Sequence, residues 1–177
     1  VVQYDWKDGE ISYSIEMFAA SLSGTDVSNT VNFIKVKIKN AGTGNGKASF
    51  IAAIRGKSPD YRAAELKGFS ENSTFRMSDN ATYRDGRLLY IFPGGAVREA
   101  VPNVSYQKPF RAKDLNIGSA STCCLARYFY DLLPGQEKDL VFIMPRMPVP
   151  DNSLTFIRNL SSADYNSYRR QIIRYWE

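Results

Sequence analysis

The segment from Val31 to Arg55 constrains the fold most, because its side chains repeat with a period of two. In its first half, apolar residues alternate with lysines, at Ile34, Val36 and Ile38 against Lys35, Lys37 and Lys39. A helix would not separate these residues onto opposite faces, whereas a strand does, so a half-buried strand is predicted. The second half, Ala48 to Arg55, is apolar on both faces and predicts a strand deeper in the sheet. Residues 40–47 between them are rich in Gly and Asn, which adopt positive φ at low cost, so we predict a long antiparallel hairpin.

Three other stretches predict further antiparallel strands. The first has apolar residues at alternate positions that are expected to share one buried face, Ile11, Tyr13, Ile15 and Met17. Asp85-Gly86 lies between two β-prone flanks and predicts a tight hairpin turn, because both residues tolerate positive φ. The last pair of strands, Cys123–Leu133 and Asp139–Met144, is joined by Pro134-Gly135, which predicts another antiparallel connection.

Two long stretches carry weaker patterns. Lys57–Asn80 is predicted to be either an irregular excursion or a strand with a short helical turn at Tyr61–Leu66, and Ala96–Ser121 to form loops with one or two short strands. The prolines between residues 145 and 150 lack the N–H that a strand ladder needs, so strand pairing is predicted to stop there. We therefore predict a mainly β fold, an antiparallel β-sandwich over residues 1–150 followed by a C-terminal α-helix.

Residues 151–177 change to a helical period and are interpreted as a linker and a helix. Ser161 or Ser162 is a candidate N-cap, and Asp164 suits the positive start of a helix. Apolar residues at spacings of three and four form what we call the apolar stripe, Tyr165, Tyr168, Ile172 and Trp176. No Gly, Asn or Pro closes the last turn, so we expect the sequence to be cut inside this helix and the stripe to contact the sandwich and a partner beyond it.

Composition excludes several classes of function. Lys and Arg number 23 against 18 Asp and Glu, but the basic residues are dispersed, so no nucleic-acid partner is predicted. No apolar run reaches about 18 residues, so no membrane partner is predicted either. The chain has no His, which excludes Ser-His-Asp and Cys-His catalysis. Its only cysteines, Cys123 and Cys124, are adjacent, so we predict two buried, reduced thiols, no metal and no cofactor.

Four motifs follow one another along the chain. They are a strand with Asn40-Ala41-Gly42, the hairpin Asp85-Gly86-Arg87-Leu88-Leu89-Tyr90, the pair Leu132-Leu133-Pro134-Gly135 with Leu140, Phe142 and Pro145, and the helix from Asp164-Tyr165 through Tyr175-Trp176-Glu177. This series resembles the N-terminal β-sandwich of bacterial glycoside hydrolases whose catalytic part is a six-hairpin α-toroid. The resemblance covers nearly the whole chain and is most specific in the final helix.

The resemblance implies a non-catalytic accessory domain of a carbohydrate-active enzyme. In such enzymes a linker helix joins the sandwich to the toroid, and the acid and base carboxylates lie in the toroid, so the resemblance carries no catalytic residue onto this chain. It implies a secreted protein, extracellular or periplasmic, whose partner is the following catalytic domain, contacted through Tyr165, Tyr168, Ile172 and Trp176. A loop from residues 57–80 or 96–121 is expected to reach the substrate cleft.

The acidic residues offer no clear catalytic pair of their own. Glycosidase chemistry needs two facing carboxyl groups, roughly 5–10 Å apart. Glu16, Glu99 and Asp131 are conceivable candidates, but each of these is more often a solvated or turn-capping carboxylate.

The alternative function is a free-standing carbohydrate-binding module of β-sandwich type. Exposed aromatic side chains would then stack on pyranose rings, the candidates being Trp6, Tyr61, Tyr83 and Tyr106. Core packing explains such aromatic residues equally well, so carbohydrate is only a candidate partner at this stage.

Overall fold

The computed structural model describes residues 1–22, 29–55, 75–104 and 117–177, and for residues 54–55, 75, 99–104 and 117–124 it describes the backbone alone. The thiols of Cys123 and Cys124 therefore lie outside the described part, as do residues 57–74 and 105–116. The expectations stated for these groups stay predictions.

Strands dominate the described residues. They are β1 (Val2–Asp8), β2 (Ile11–Ser21), β3 (Thr30–Asn40), β4 (Gly46–Arg55), β5 (Phe75–Met77), β6 (Ala81–Arg84), β7 (Arg87–Ile91), β8 (Val97–Val104), β9 (Ile117–Leu132), β10 (Glu137–Pro145) and β11 (Val149–Pro150). Two helices follow, α1 (Leu154–Ser161) and α2 (Tyr165–Trp176). Neither of these helices has the length and hydropathy that crossing a bilayer requires.

The strands form two antiparallel sheets. The larger has the order β1-β2-β3-β10-β7-β6-β5, with β11 added to β7, and the smaller has the order β4-β9-β8. Antiparallel sheets in a sandwich-like arrangement, followed by a C-terminal helix, confirm the predicted fold class.

The larger sheet is covered on both faces, but toward different ends of its strands. A first core lies between the sheets and includes Ile11, Tyr13, Val36, Ile38, Tyr90, Tyr128, Leu140 and Phe142. A second core lies on the opposite face, beneath α1 and α2, and includes Phe18, Val31, Phe33, Leu88, Ile143, Leu160 and Tyr165. The buried face of β2 is confirmed at Ile11 and Tyr13, whereas Met17, farther along the same face, is 37% exposed.

The predicted hairpin between residues 31 and 55 is wrong. Both strands exist, but β3 pairs with β2 and β10 in the larger sheet, whereas β4 pairs with β9 in the smaller one. The turn at Pro134-Gly135 likewise joins β9 of one sheet to β10 of the other. Both connections are arches that cross from sheet to sheet. Periodicity and turn residues predict where a strand reverses, but the pairing partner depends on long-range packing.

Asn40 joins these two arches. Its side chain is completely buried and donates hydrogen bonds to the carbonyl oxygens of Gly44, at 2.8 Å, and Leu132, at 3.0 Å. Its side-chain oxygen accepts from the Gly42 N–H at 3.0 Å, and its backbone carbonyl accepts from the Gly135 N–H at 2.9 Å. One buried amide therefore bonds backbone groups in the connector between β3 and β4 and at the end of β9.

The Asp85-Gly86 hairpin is confirmed. Both residues have positive φ, 50° and 69°, and β6 pairs with β7 on either side of them. The prediction that strand pairing stops at the prolines is wrong, because Val149 and Pro150 pair with β7. The stretch after Ala96 also carries longer strands than expected, since β8 has 8 residues and β9 has 16.

The predicted C-terminal helix is confirmed as α2, but it begins at Tyr165 instead of directly after Ser161 or Ser162, and the predicted linker before it contains a second helix, α1. The Ser162 N–H closes α1 by donating to the Arg158 carbonyl oxygen at 3.0 Å. Asp164 is the N-cap of α2, and its carboxylate accepts from the Ser167 N–H at 2.8 Å. A carboxylate satisfies free N–H groups at a helix start, so Asp164 begins a second helix, and α1 does not continue through the two serines.

Candidate functional site

Helix α2 is held to the larger sheet by an ion pair between Arg169 and Glu16 on β2. The Arg169 guanidinium donates to both carboxylate oxygens, at 2.6 and 2.8 Å, and the Tyr165 hydroxyl donates to the same carboxylate. Arg169 lowers the pKa of Glu16, against the opposing effect of burial. Burial and the neighbouring carboxylate both raise the pKa of Tyr165, which keeps its hydroxyl a donor. The contact sets the position of α2.

The apolar stripe passes from buried to exposed along α2. Tyr165 is 5% exposed, and Tyr168 and Ile172 pack partly buried against the second core. Trp176, by contrast, is 79% exposed, and its neighbour Tyr175 is 78% exposed. Trp176 also lines an apolar groove of about 330 Å³ with Val1, Ile172, Ile173 and Glu177. The stripe therefore contacts the sandwich at one end and leaves aromatic surface uncovered at the other.

The candidate acids are separated. Glu16 is paired with Arg169, and its lowered pKa makes it a poor proton donor at neutral pH. Asp131 is exposed on β9 of the other sheet, and the side chain of Glu99 lies outside the described part. In the described ranges, no three His, Cys, Asp or Glu residues converge as a metal site would require.

Aromatic side chains form a row at the edge of the larger sheet. The ring of Trp6, on edge strand β1, stacks on Tyr13 with centroids 4.8 Å apart and planes 5° from parallel. The Tyr13 hydroxyl donates to the Ser49 carbonyl oxygen at 3.1 Å, which fixes that ring. Tyr4 lies next along β1, 5.8 Å from Trp6, and is 63% exposed. We call Tyr4, Trp6 and Tyr13 the aromatic row.

The other aromatic candidates are less available or not described. The Arg76 guanidinium lies 4.0 Å above the ring of Tyr83 and occupies one of its faces. Tyr61 and Tyr106 lie outside the described residues. Of the two candidates that the structure describes, Trp6 is the one that contacts another exposed aromatic side chain, that of Tyr4.

A groove of about 350 Å³ lies on the opposite face of the same strands. We call it the polar groove, and its side chains are Asp5, Lys7, Ser12, Ser14, Lys37 and Lys39. The short serines of β2 form its floor, and the longer residues of β1 and β3 form its walls. Trp6 and Tyr13 also line it, but side chains alternate along a strand, so these two reach it through their backbone.

Sequence reasoning did not find the polar groove, although part of the signal was present. The period of two placed the lysines of β3 on one face, and the same period runs through Ser12 and Ser14. What was lacking was the register, which brings β1 and β3 to either side of β2.

Neither a scan against models of known protein families nor a search of curated proteins finds a match for this chain.

Proposed function

We propose that this chain is a non-catalytic β-sandwich domain of a secreted, carbohydrate-active enzyme, and that α2 docks the sandwich onto the following catalytic domain. The catalytic domain would supply the acid and base carboxylates. The sandwich would stabilise the catalytic domain, and residues 57–80 or 96–121 of the sandwich would reach its substrate cleft.

The exposed end of the apolar stripe carries this proposal. Large aromatic side chains rarely stay uncovered in a contiguous patch, and such patches mark interaction surfaces. Tyr175 and Trp176 are in edge-to-face contact at the end of α2, with ring centroids 5.2 Å apart, beside the groove that Ile172 and Ile173 line. The Glu16–Arg169 ion pair and the capped start of α2 present this surface in a fixed orientation.

Trp176 fluorescence tests the proposal. The chain has only two tryptophans, so in a Trp6→Phe background the emission reports on Trp176 alone. We expect this chain to show strong acrylamide quenching, and a chain extended through the following residues of the gene to show weak quenching and blue-shifted emission. Equal quenching in the two chains would contradict the docking role. A Tyr130→Phe variant of both chains is the control, because Tyr130 lies on β9 of the smaller sheet and packs against the first core, whereas α2 covers the second core.

The aromatic row favours a second candidate, a carbohydrate-binding module. A pyranose presents a flat apolar C–H face that stacks on aromatic rings, and rings fixed in advance lose little entropy on binding. Affinity electrophoresis in gels containing soluble polysaccharides tests this candidate. Retardation that Trp6→Ala and Tyr4→Ala abolish, and that Tyr175→Ala leaves unchanged, would favour the module, and retardation that survives both β1 substitutions would exclude the aromatic row as the binding surface.

A further inference from the structure

We infer that the polar groove binds an acidic sugar, with the carboxylate of the sugar at one end and its hydroxyl groups at the other. The sugar part of this ligand rests on the proposed role in a carbohydrate-active enzyme. The anionic part follows from the side chains of the groove alone.

The charges of the groove leave one positive charge without a partner. Lys37 and Lys39 share a single carboxylate, that of Glu137 on β10, with nitrogen–oxygen distances of 3.4 and 2.9 Å. Asp5 accepts hydrogen bonds from neutral side chains. Lys7 forms no ion pair with the described residues. Three lysines thus face two carboxylates, and one bound monoanion would balance the groove.

The cationic end lies over Ser12. The strand register places Ser12 between Lys7 on β1 and Lys39 on β3, so these lysines are two strand spacings apart, about 10 Å between Cα atoms. Their long, flexible side chains allow both ammonium groups to reach an anion above the serine. The Ser12 hydroxyl donates to the Lys39 carbonyl oxygen at 3.3 Å, so it supplies room for the anion rather than a donor.

The other end suits hydroxyl groups. In the next row, Ser14 lies between Asp5 and Lys37. Hydrogen bonds from Ser14 and Gln3 lower the pKa of Asp5, so its carboxylate stays ionised and accepts hydrogen bonds. A sugar hydroxyl both donates and accepts, and this row offers an acceptor on one wall and an ammonium donor on the other. The groove volume of about 350 Å³ is at the small end of ligand sites, which fits a single sugar ring.

Titrations of the ¹⁵N-labelled chain with galacturonate, galactose and sodium sulfate, followed by NMR, test the inference. We expect galacturonate to shift the amide signals of Ser12, Ser14 and Lys39. Lys7→Gln should weaken its binding about threefold, the effect of one exposed charge contact, and added salt should weaken it further. Lys138→Gln is the matched control, because Lys138 is exposed on the other face of β10 and should leave binding unchanged.

Each probe tests one end of the groove. Galactose that shifts the same amides at the same concentrations would overturn the anionic end, as would unchanged affinity in Lys7→Gln. Sulfate that binds as tightly as galacturonate would overturn the sugar part. Docking of α2 onto a catalytic domain is measured separately through Trp176 fluorescence. A negative result in that experiment would not change the interpretation of the NMR titrations.

Discussion

Replacing Asn40 by Ala tests whether one buried amide holds the two arches together. The substitution removes two donors and one acceptor from a side chain that is completely buried. It leaves the backbone of β3 free to keep its ladder with β2 and β10. The expected loss of stability therefore comes from the arches alone.

The loss can be worked from the three bonds. The Leu132 carbonyl oxygen accepts its bond in a buried setting, and leaving it without a donor costs about 1–3 kcal/mol. The bonds to Gly44 and Gly42 are only part-buried, so water replaces them and each contributes about 0.5–1.5 kcal/mol. We expect Asn40→Ala to lower the free energy of unfolding by about 2–6 kcal/mol, a large share of a typical total of about 5–15 kcal/mol.

Urea unfolding followed by circular dichroism measures this loss. Asn45→Ala is the matched control, because Asn45 is exposed in the same connector and should change stability by less than about 0.5 kcal/mol. Asn40→Asp keeps the oxygen that faces Gly42 but replaces both donors with an acceptor, so it should be at least as destabilising as Ala. If Asn40→Ala matched Asn45→Ala, the two arches would not depend on this side chain.

Three further predictions concern α2, the β6–β7 turn and activity. Since Arg169 depresses the pKa of Glu16, the attachment of α2 is complete above the ordinary pKa of 4.5 and is lost as the pH falls through the lowered pKa. Amide exchange in α2 should accelerate in that pH range, and Arg169→Gln should remove this pH dependence. Gly86→Ala should cost about 1 kcal/mol in thermal unfolding, because φ is +69°, whereas Gly94→Ala, with open space around it, should be near neutral. The chain alone should hydrolyse no aryl glycoside, and turnover abolished by a single Asp or Glu substitution would refute this.

The parts of the fold that the sequence predicted are those that local chemistry decides. Alternation along β2 and β3 predicted the strands, and Asp85-Gly86 predicted a hairpin, since Asp and Gly tolerate the positive φ that a two-residue turn requires. The amphipathic period of α2 gave a helix. Each of these signals lies within about ten residues, and no distant contact is needed to read it.

The connections were mispredicted because they depend on contacts between distant segments. Asn40 bonds Leu132, a residue 92 positions away, and nothing near Asn40 distinguishes a hairpin connector from an arch. Phe18 and Phe33 lie beneath α2, on the face of the larger sheet whose lysines, farther along β3, predicted contact with solvent alone. The polar groove needed the register of three strands, which a single sequence does not supply.

One face of β2 connects the candidate sites. Along it, Ser12 and Ser14 form the floor of the polar groove, Glu16 binds α2, and Phe18 and Ala20 enter the second core. These residues alternate on one rigid strand, so a shift of register by one residue would move all of them to the opposite face. The position of α2 and the shape of the groove are therefore fixed by the same strand. It follows that a ligand in the groove and a domain docked on α2 would lie on the same side of the sheet.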